Sequence, residues 1–144
     1  MQKTKGFTII ELLVVIAIIA VLAAIVLVNV TVYINKGKDA AIKGNLTTVM
    51  TNAAVFFDTN ANYTGFAGNA TLGCGAGGPI AAAITAAGST LVCAETTTTG
   101  AQWCGCAQEK VDATKYYCVD SSGAKIENTT ACTTSCTAAS PLCL

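Results

Sequence analysis

The chain has 144 residues, enough for one domain and little more. It is 53% hydrophobic and only 11% charged. Average soluble domains carry about 25% charge, so this is not the composition of an ordinary cytosolic protein. Eight Lys balance eight Asp plus Glu, with no Arg and no His. That excludes a basic nucleic-acid-binding face, Ser-His-Asp or Cys-His catalysis, and zinc sites that need an imidazole.

Leu12 through Val28 is an unbroken apolar run, and from Phe7 onward only Thr8 and Glu11 interrupt it. As a helix, residues 7–28 extend about 33 Å at roughly 1.5 Å per residue. A hydrocarbon core is about 30 Å thick, so the segment is long enough to cross a bilayer. The competing reading is a buried core helix, but nothing else in the chain is large enough to wrap so long an apolar rod. Lys3 and Lys5 precede the run, while Lys36, Lys38 and Lys43 follow it, offset by Asp39. The positive-inside rule therefore gives no orientation. The cysteines break the tie. All eight lie at or beyond Cys74. An even number in a short segment reads as disulfides, which need an oxidising compartment. The C-terminal part is then outside and the Lys3/Lys5 end in the cytoplasm. A removable secretory signal is the rival, but Ala17, Ala20, Ala23 and Ala24 supply no A-x-A cleavage site, and Glu11 lies inside the apolar part.

The run Lys5-Gly6-Phe7-Thr8-Ile9-Ile10-Glu11-Leu12-Leu13-Val14-Val15-Ile16 resembles the processing and assembly signal of type IV prepilins and pseudopilins. The resemblance covers Met1 to about Asp58. It implies that a short basic leader is cut after Gly6, that the exposed Phe7 is N-methylated, and that Glu11, fifth in the mature chain, serves assembly. A glycine at the cut has no side chain to keep a protease from the backbone. Loss of Met1–Gly6 removes Lys3 and Lys5, leaving six Lys against eight acids and a new amine at Phe7. The competing reading of Glu11 is a helix cap favoured by the macrodipole.

From Asn29 the pattern turns amphipathic. Ile42, Leu46, Val49, Ala53 and Phe56 recur on one helical face. Asp39 and Lys43 are spaced as an i,i+4 ion pair with the acid first. One long helix is predicted from Phe7 to about Phe57, apolar all round in its first half and one-sided in its second. Gly37 and Gly44 either soften the helix, so that it extends locally on polymerisation, or allow close packing against a neighbour. Asp58-Thr59-Asn60 and Asn62 end the helix, and the six glycines of Gly65–Gly78 read as loop. Pro79–Ala87 reads as a short helix stopped by Gly88. Thr90–Cys93, Gln102–Ala107, Lys115–Val119 and Ala124–Glu127 read as strands of an antiparallel meander, with turn chemistry at Thr96–Gly100 and Asp120–Gly123. The tail from Asn128 shows no period.

A segment of about 80 residues with few large side chains builds little core and is commonly stapled. Cys74, Cys93, Cys104, Cys106, Cys118, Cys132, Cys136 and Cys143 suit four bridges, more than the one or two the resemblance implies. Eight cysteines allow 105 pairings, which stay open, although Cys104 and Cys106, one residue apart, should take different partners. Thiol ligation of a metal is the lesser reading, because no CxxC pair exists and the compartment oxidises thiols. Asp112 and Asp120 read as solvated turn acids rather than a calcium site. Asn29, Asn45, Asn62, Asn69 and Asn128 begin N-x-[ST] triplets, expected by chance in a chain with so many Thr. Trp103 reads as core.

The expected architecture is α+β: a leader over 1–6, a transmembrane and assembly helix over 7–28, its amphipathic continuation over 29–58, and an extracellular disulfide-rich head over 59–144. The function implied by the resemblance is that of a pilus subunit. It is processed by a prepilin peptidase and methylase, held in the cytoplasmic membrane, then polymerised by an assembly machinery into a helical filament of identical copies. Head-to-tail contacts that do not close produce such a fibre. No cofactor is implied. The alternatives are a pseudopilin of a type II secretion system and a membrane-anchored binding protein that never polymerises. A plain anchor has no use for Glu11. An enzyme lacks any catalytic constellation here.

Overall fold

The computed structural model describes residues 6–96 and 98–143, Val28 without its side chain. Lys3 and Lys5 of the expected leader, Thr97 of the expected Thr96–Gly100 turn, and Leu144 lie outside the described residues. The element order is α1 (Ile9–Asn60), α2 (Pro79–Ala86), β1 (Leu91–Glu95), β2 (Trp103–Gln108), β3 (Tyr116–Asp120), β4 (Lys125–Asn128) and α3 (Cys132–Ser135). The fold is α+β. The chain divides into two compact units, one ending at Ile34 and one beginning at Asn35.

In the first unit α1 runs without Gly or Pro from Ile9 to Ile34. Two of its polar residues bond back to the helix: Asn29 Nδ2 donates to the Ile25 carbonyl at 3.3 Å and Thr31 Oγ1 to that of Leu27 at 3.1 Å. No described side chain of this unit is buried within the chain. A window of 18 residues here reaches a mean hydropathy of 3.3, which is long and apolar enough to cross a membrane.

In the second unit the continuing helix becomes one-sided. Ile42, Leu46 and Val49 are wholly buried, with Ala53 and Phe56 beside them. Each fully buried aliphatic side chain here contributes roughly 1.5–3 kcal/mol. The helix passes through Gly37 and Gly44 without interruption, and a Cβ at either would meet nothing within 4 Å. Neither glycine is therefore there for close packing within the chain. Asp39 and Lys43 do not pair as their spacing suggests. Asp39 instead accepts the backbone amides of Lys110 and Val111, and Lys43 reaches Glu109 and Glu127. Both side chains face the sheet, and the stronger partners lie there.

The stripe packs on a four-stranded antiparallel meander in the order β1-β2-β3-β4. Side chains alternate between the faces of a strand. Trp103, Ala107 and Val119 join the α1 stripe in one core, while Cys104, Cys106 and Cys118 form a second cluster. Gly105 lies between the cysteines of β2 on the α1 side. A Cβ there would come within 3.3 Å of Cys93 Sγ and 3.5 Å of Leu46 Cδ2, so its absence lets helix and sheet close up. Phe66 and Trp103 meet edge to face at 5.2 Å, and Phe56 lies 5.3 Å from Phe66.

Pro79 opens α2, and Gly88 closes it with φ +85°. The Gly88 amide donates to the Thr85 carbonyl at 2.8 Å and the Ser89 amide to that of Ile84 at 3.1 Å, which is a Schellman closure. α3 is one helical turn in a tail whose sequence shows no period.

Candidate processing and assembly site

Gly6 and Phe7 precede α1 and are exposed, Phe7 at 76%. Nothing lies within 4 Å of where a Gly6 Cβ would stand. The backbone joining them is exposed. Directly after it, Thr8 and Glu11 hold each other. The Thr8 amide and the Thr8 hydroxyl both donate to Glu11 Oε2 at 2.8 Å, and the Glu11 amide donates to Thr8 Oγ1 at 3.2 Å. This is a capping box, in which two amides left over at a helix start are satisfied reciprocally. Glu11 therefore caps the start of α1. Thr8 was not singled out by the sequence reading, although its T-x-x-E spacing is the capping-box signature.

The cysteines form four bridges: Cys74–Cys93, Cys104–Cys136, Cys106–Cys132 and Cys118–Cys143. Three of them share one face of the sheet. Two strand residues span about 6.7 Å, and one helical turn rises about 5.4 Å. The Cys104-x-Cys106 pair on β2 meets Cys132, the first residue of α3, and Cys136, its C-cap, as two rungs run in opposite directions. Cys118 on β3 stands across from Cys106 and takes Cys143. The fourth bridge ties the glycine-rich loop to β1.

Carboxylates hold the loops around this frame. Glu95 accepts the Gly65 and Ala67 amides at 2.6 and 2.7 Å. Asp112 is half-buried and caps its own turn through Thr114. Asp120 departs from the expectation of a solvated acid. It is 2% exposed, accepts Ser122 on Oδ1, and takes the Cys143 amide on Oδ2 at 2.8 Å. The tail bridge folds over it and removes it from solvent. Among the described residues no group of three or more potential ligands could hold a metal ion.

One charged cluster joins α1 to the sheet. Lys43 Nζ lies 3.0 Å from Glu109 Oε1 and in contact with Glu127 Oε1, while Lys115 lies 3.7 Å from Glu127 Oε2. Burial pushes the Glu109 carboxyl up, against the pull of Lys43, and neighbouring Glu127 adds to the rise. The hydrogen bond from Lys43 holds Glu127 below its usual value. Burial works to lower Lys43, but its bonds to Glu127 and Glu109 outweigh this and raise it. Asn62 and Asn69 close turns onto Thr64 and Thr71 through their side-chain oxygens.

Residues 1–27 match the prokaryotic N-terminal methylation motif. The chain is 38% identical over 65 residues to the type IV major pilin protein PilA of Myxococcus xanthus, covering 45% of this chain and 30% of that protein. It is 38% identical over 64 residues to the type IV wide pilus major component PilA4 of Thermus thermophilus, covering 44% of this chain and 49% of that protein. The matched segment thus spans less than half the length of either relative. No solved structure matches the chain.

Proposed function

We propose that this chain is the precursor of a pilin-type subunit: cut between Gly6 and Phe7, methylated at Phe7, kept in the cytoplasmic membrane by residues 7–28 with the head of residues 59–144 outside, and then polymerised into a surface filament. The observation that carries the reading is the start of the chain. An exposed Gly6-Phe7 junction leads directly into a capped, bare, apolar helix, and the methylation motif covers the same residues. Similarity to two pilus subunits supports a filament rather than a lone anchor. The bridged head favours an exposed fibre over a secretion pseudopilin, because exposed fibres benefit from covalent bracing.

Glu11 has a second role in this reading. A carboxylate toward the bilayer centre costs about 2.5–3.5 kcal/mol. Packed among apolar helices, it needs a partner. Thr8 occupies Oε2, which leaves Oε1 to the Phe7 amine of a docking copy. The partners are a prepilin peptidase and methylase, an assembly machinery, and further copies of the chain. The test is N-terminal mass spectrometry of the membrane-held subunit together with electron microscopy of surface filaments. A methylated Phe7 start is expected, and Gly6→Leu should block processing. An intact Met1, or a start near Ala24, sinks the reading. Glu11→Ala should leave a cleaved, bridged subunit that forms few filaments. Filaments of normal number and length from that variant would remove Glu11 from docking.

A further inference from the structure

The bridges do not follow the order in which the cysteines leave the membrane. Cys74 and Cys93 are consecutive, but Cys106, Cys118 and Cys132 all intervene between Cys104 and its partner Cys136. Pairing neighbours as they emerge would give Cys104–Cys106, Cys118–Cys132 and Cys136–Cys143, none of which exists. A subtler error lies within the matched rungs. Exchanging partners gives Cys104–Cys132 and Cys106–Cys136. One loop becomes four residues shorter than the native separation of 32, and the other four longer than the native 26. Loop entropy varies with the logarithm of loop length, so these changes cancel and the chain hardly discriminates between the two sets.

What does discriminate arrives last. Beyond α3 the tail is pinned where Cys143 bonds Cys118 and its amide reaches Asp120. In an N-to-C export Cys143 is the last of the eight cysteines to emerge, so the earlier ones meet an oxidant before this contact can form. We propose that this chain is a substrate of a thiol–disulfide isomerase on the outer side of the membrane, acting after a disulfide-bearing oxidase. The inference rests on the reading that the head is exported.

The chemistry balances. Each bridge passes two electrons and two protons to the oxidase. The isomerase thiolate then attacks Cys132 of the exchanged Cys104–Cys132 bridge and releases the Cys104 thiolate. Cys104 attacks Cys136 of the other bridge, forms Cys104–Cys136 and releases Cys106. Cys106 attacks Cys132 in the mixed disulfide, forms Cys106–Cys132 and returns the isomerase thiolate, with no net change in oxidation. The native set is the endpoint because it is shielded. Cys104, Cys106 and Cys118 are 0% exposed, and Cys132, Cys136 and Cys143 at most 5%.

The test uses the full chain in detergent, reduced, unfolded and then oxidised with diamide, which leaves no reshuffling thiol. Peptide mapping counts native pairs. A purified reduced thiol–disulfide isomerase should raise the native yield at least about threefold. Two double variants each retain three native pairs. Cys104→Ala/Cys136→Ala removes the exchange and should need the isomerase much less, whereas Cys118→Ala/Cys143→Ala keeps the exchange and should need it as much. A full native yield from diamide alone, or equal dependence in the two variants, overturns the proposal. Reactive thiols in the protein freshly taken from cells would instead overturn export of the head, and this inference with it.

Discussion

Residues up to Ile34 and residues from Asn35 are built on opposite principles. In the first unit no described side chain is buried, and Asn29 and Thr31 bond back to the helix. Its apolar surface must be covered by something other than this chain. The second unit has its own core, four bridges and carboxylates that pin its loops. A single helix thus has two surroundings. Up to Ile34 the sequence leaves it bare, and from Asn35 it gives the helix one buried stripe. Each unit should accordingly answer to a different perturbation.

Reduction of all four bridges should have the largest effect. Each is worth about 2–5 kcal/mol, and a domain's whole stability is about 5–15 kcal/mol. The reduced head should unfold in detergent, seen as loss of the near-ultraviolet signal of Trp103, while helical circular dichroism from Ile9–Ile34 persists. Loss of both signals together would erase the distinction between the units. Next is Leu46→Ala, expected to destabilise the head by about 2–5 kcal/mol, against less than about 0.5 kcal/mol for Leu22→Ala. Denaturant titration of the detergent-solubilised protein compares them.

Lys43→Met should cost about 1–2 kcal/mol. It leaves buried Glu109 without its cation, although a half-exposed Lys is partly screened by solvent. The pH dependence carries a sign. The Lys43 pKa is raised in the folded state from an ordinary 10.5, so its contribution is full below that value and fades as pH rises through the higher folded one. The gap in melting temperature between wild type and Lys43→Met should therefore close in strong alkali. On the acid side, stabilisation from Glu127 is lost as pH falls through its lowered folded pKa, while raised Glu109 gains as it protonates, so the two effects oppose each other. The smallest effect is that of Thr8→Ala, about 0.5–1 kcal/mol of helix start, read as faster amide exchange at Ile9–Leu12 with the head's melting unchanged. A lowered head melting temperature would show that the units are coupled.

The helices and strands with clear periods were legible. The Ile42–Phe56 stripe, Pro79 with Gly88, and the four strand segments follow from 3.6- and 2-residue patterns and from turn residues, which are local signals. Cys132–Ser135 was not, because one turn in a Thr-rich tail has no period and forms where two bridges hold it. The pairing was hidden for a combinatorial reason, because eight cysteines allow 105 pairings and the turn that carries Cys132 to its C-cap Cys136 has no period to announce it. Asp39 illustrates the other limit. Its neighbour Lys43 was visible, but its real partners lie 71 and 72 residues away in sequence and only the fold reveals them. Gly6, Phe7 and Glu11 form a linear pattern that a sequence displays directly, whereas the bond between Thr8 and Glu11 appears only in the structure, even though T-x-x-E is the spacing of a capping box.

The bridge pattern also sets how far the head can be drawn out. Pulled between Asn60 and Cys143, an unbridged chain would lengthen to about 290 Å at roughly 3.5 Å per residue. With the bridges intact, the shortest covalent route leaves Cys74 for Cys93 and Cys104 for Cys136, and its taut length is about 120 Å. The bridged head can therefore give up less than half of its slack before tension falls on covalent bonds. In the filament proposed above, that would direct mechanical failure to the contacts between copies, where it is reversible, and away from the heads.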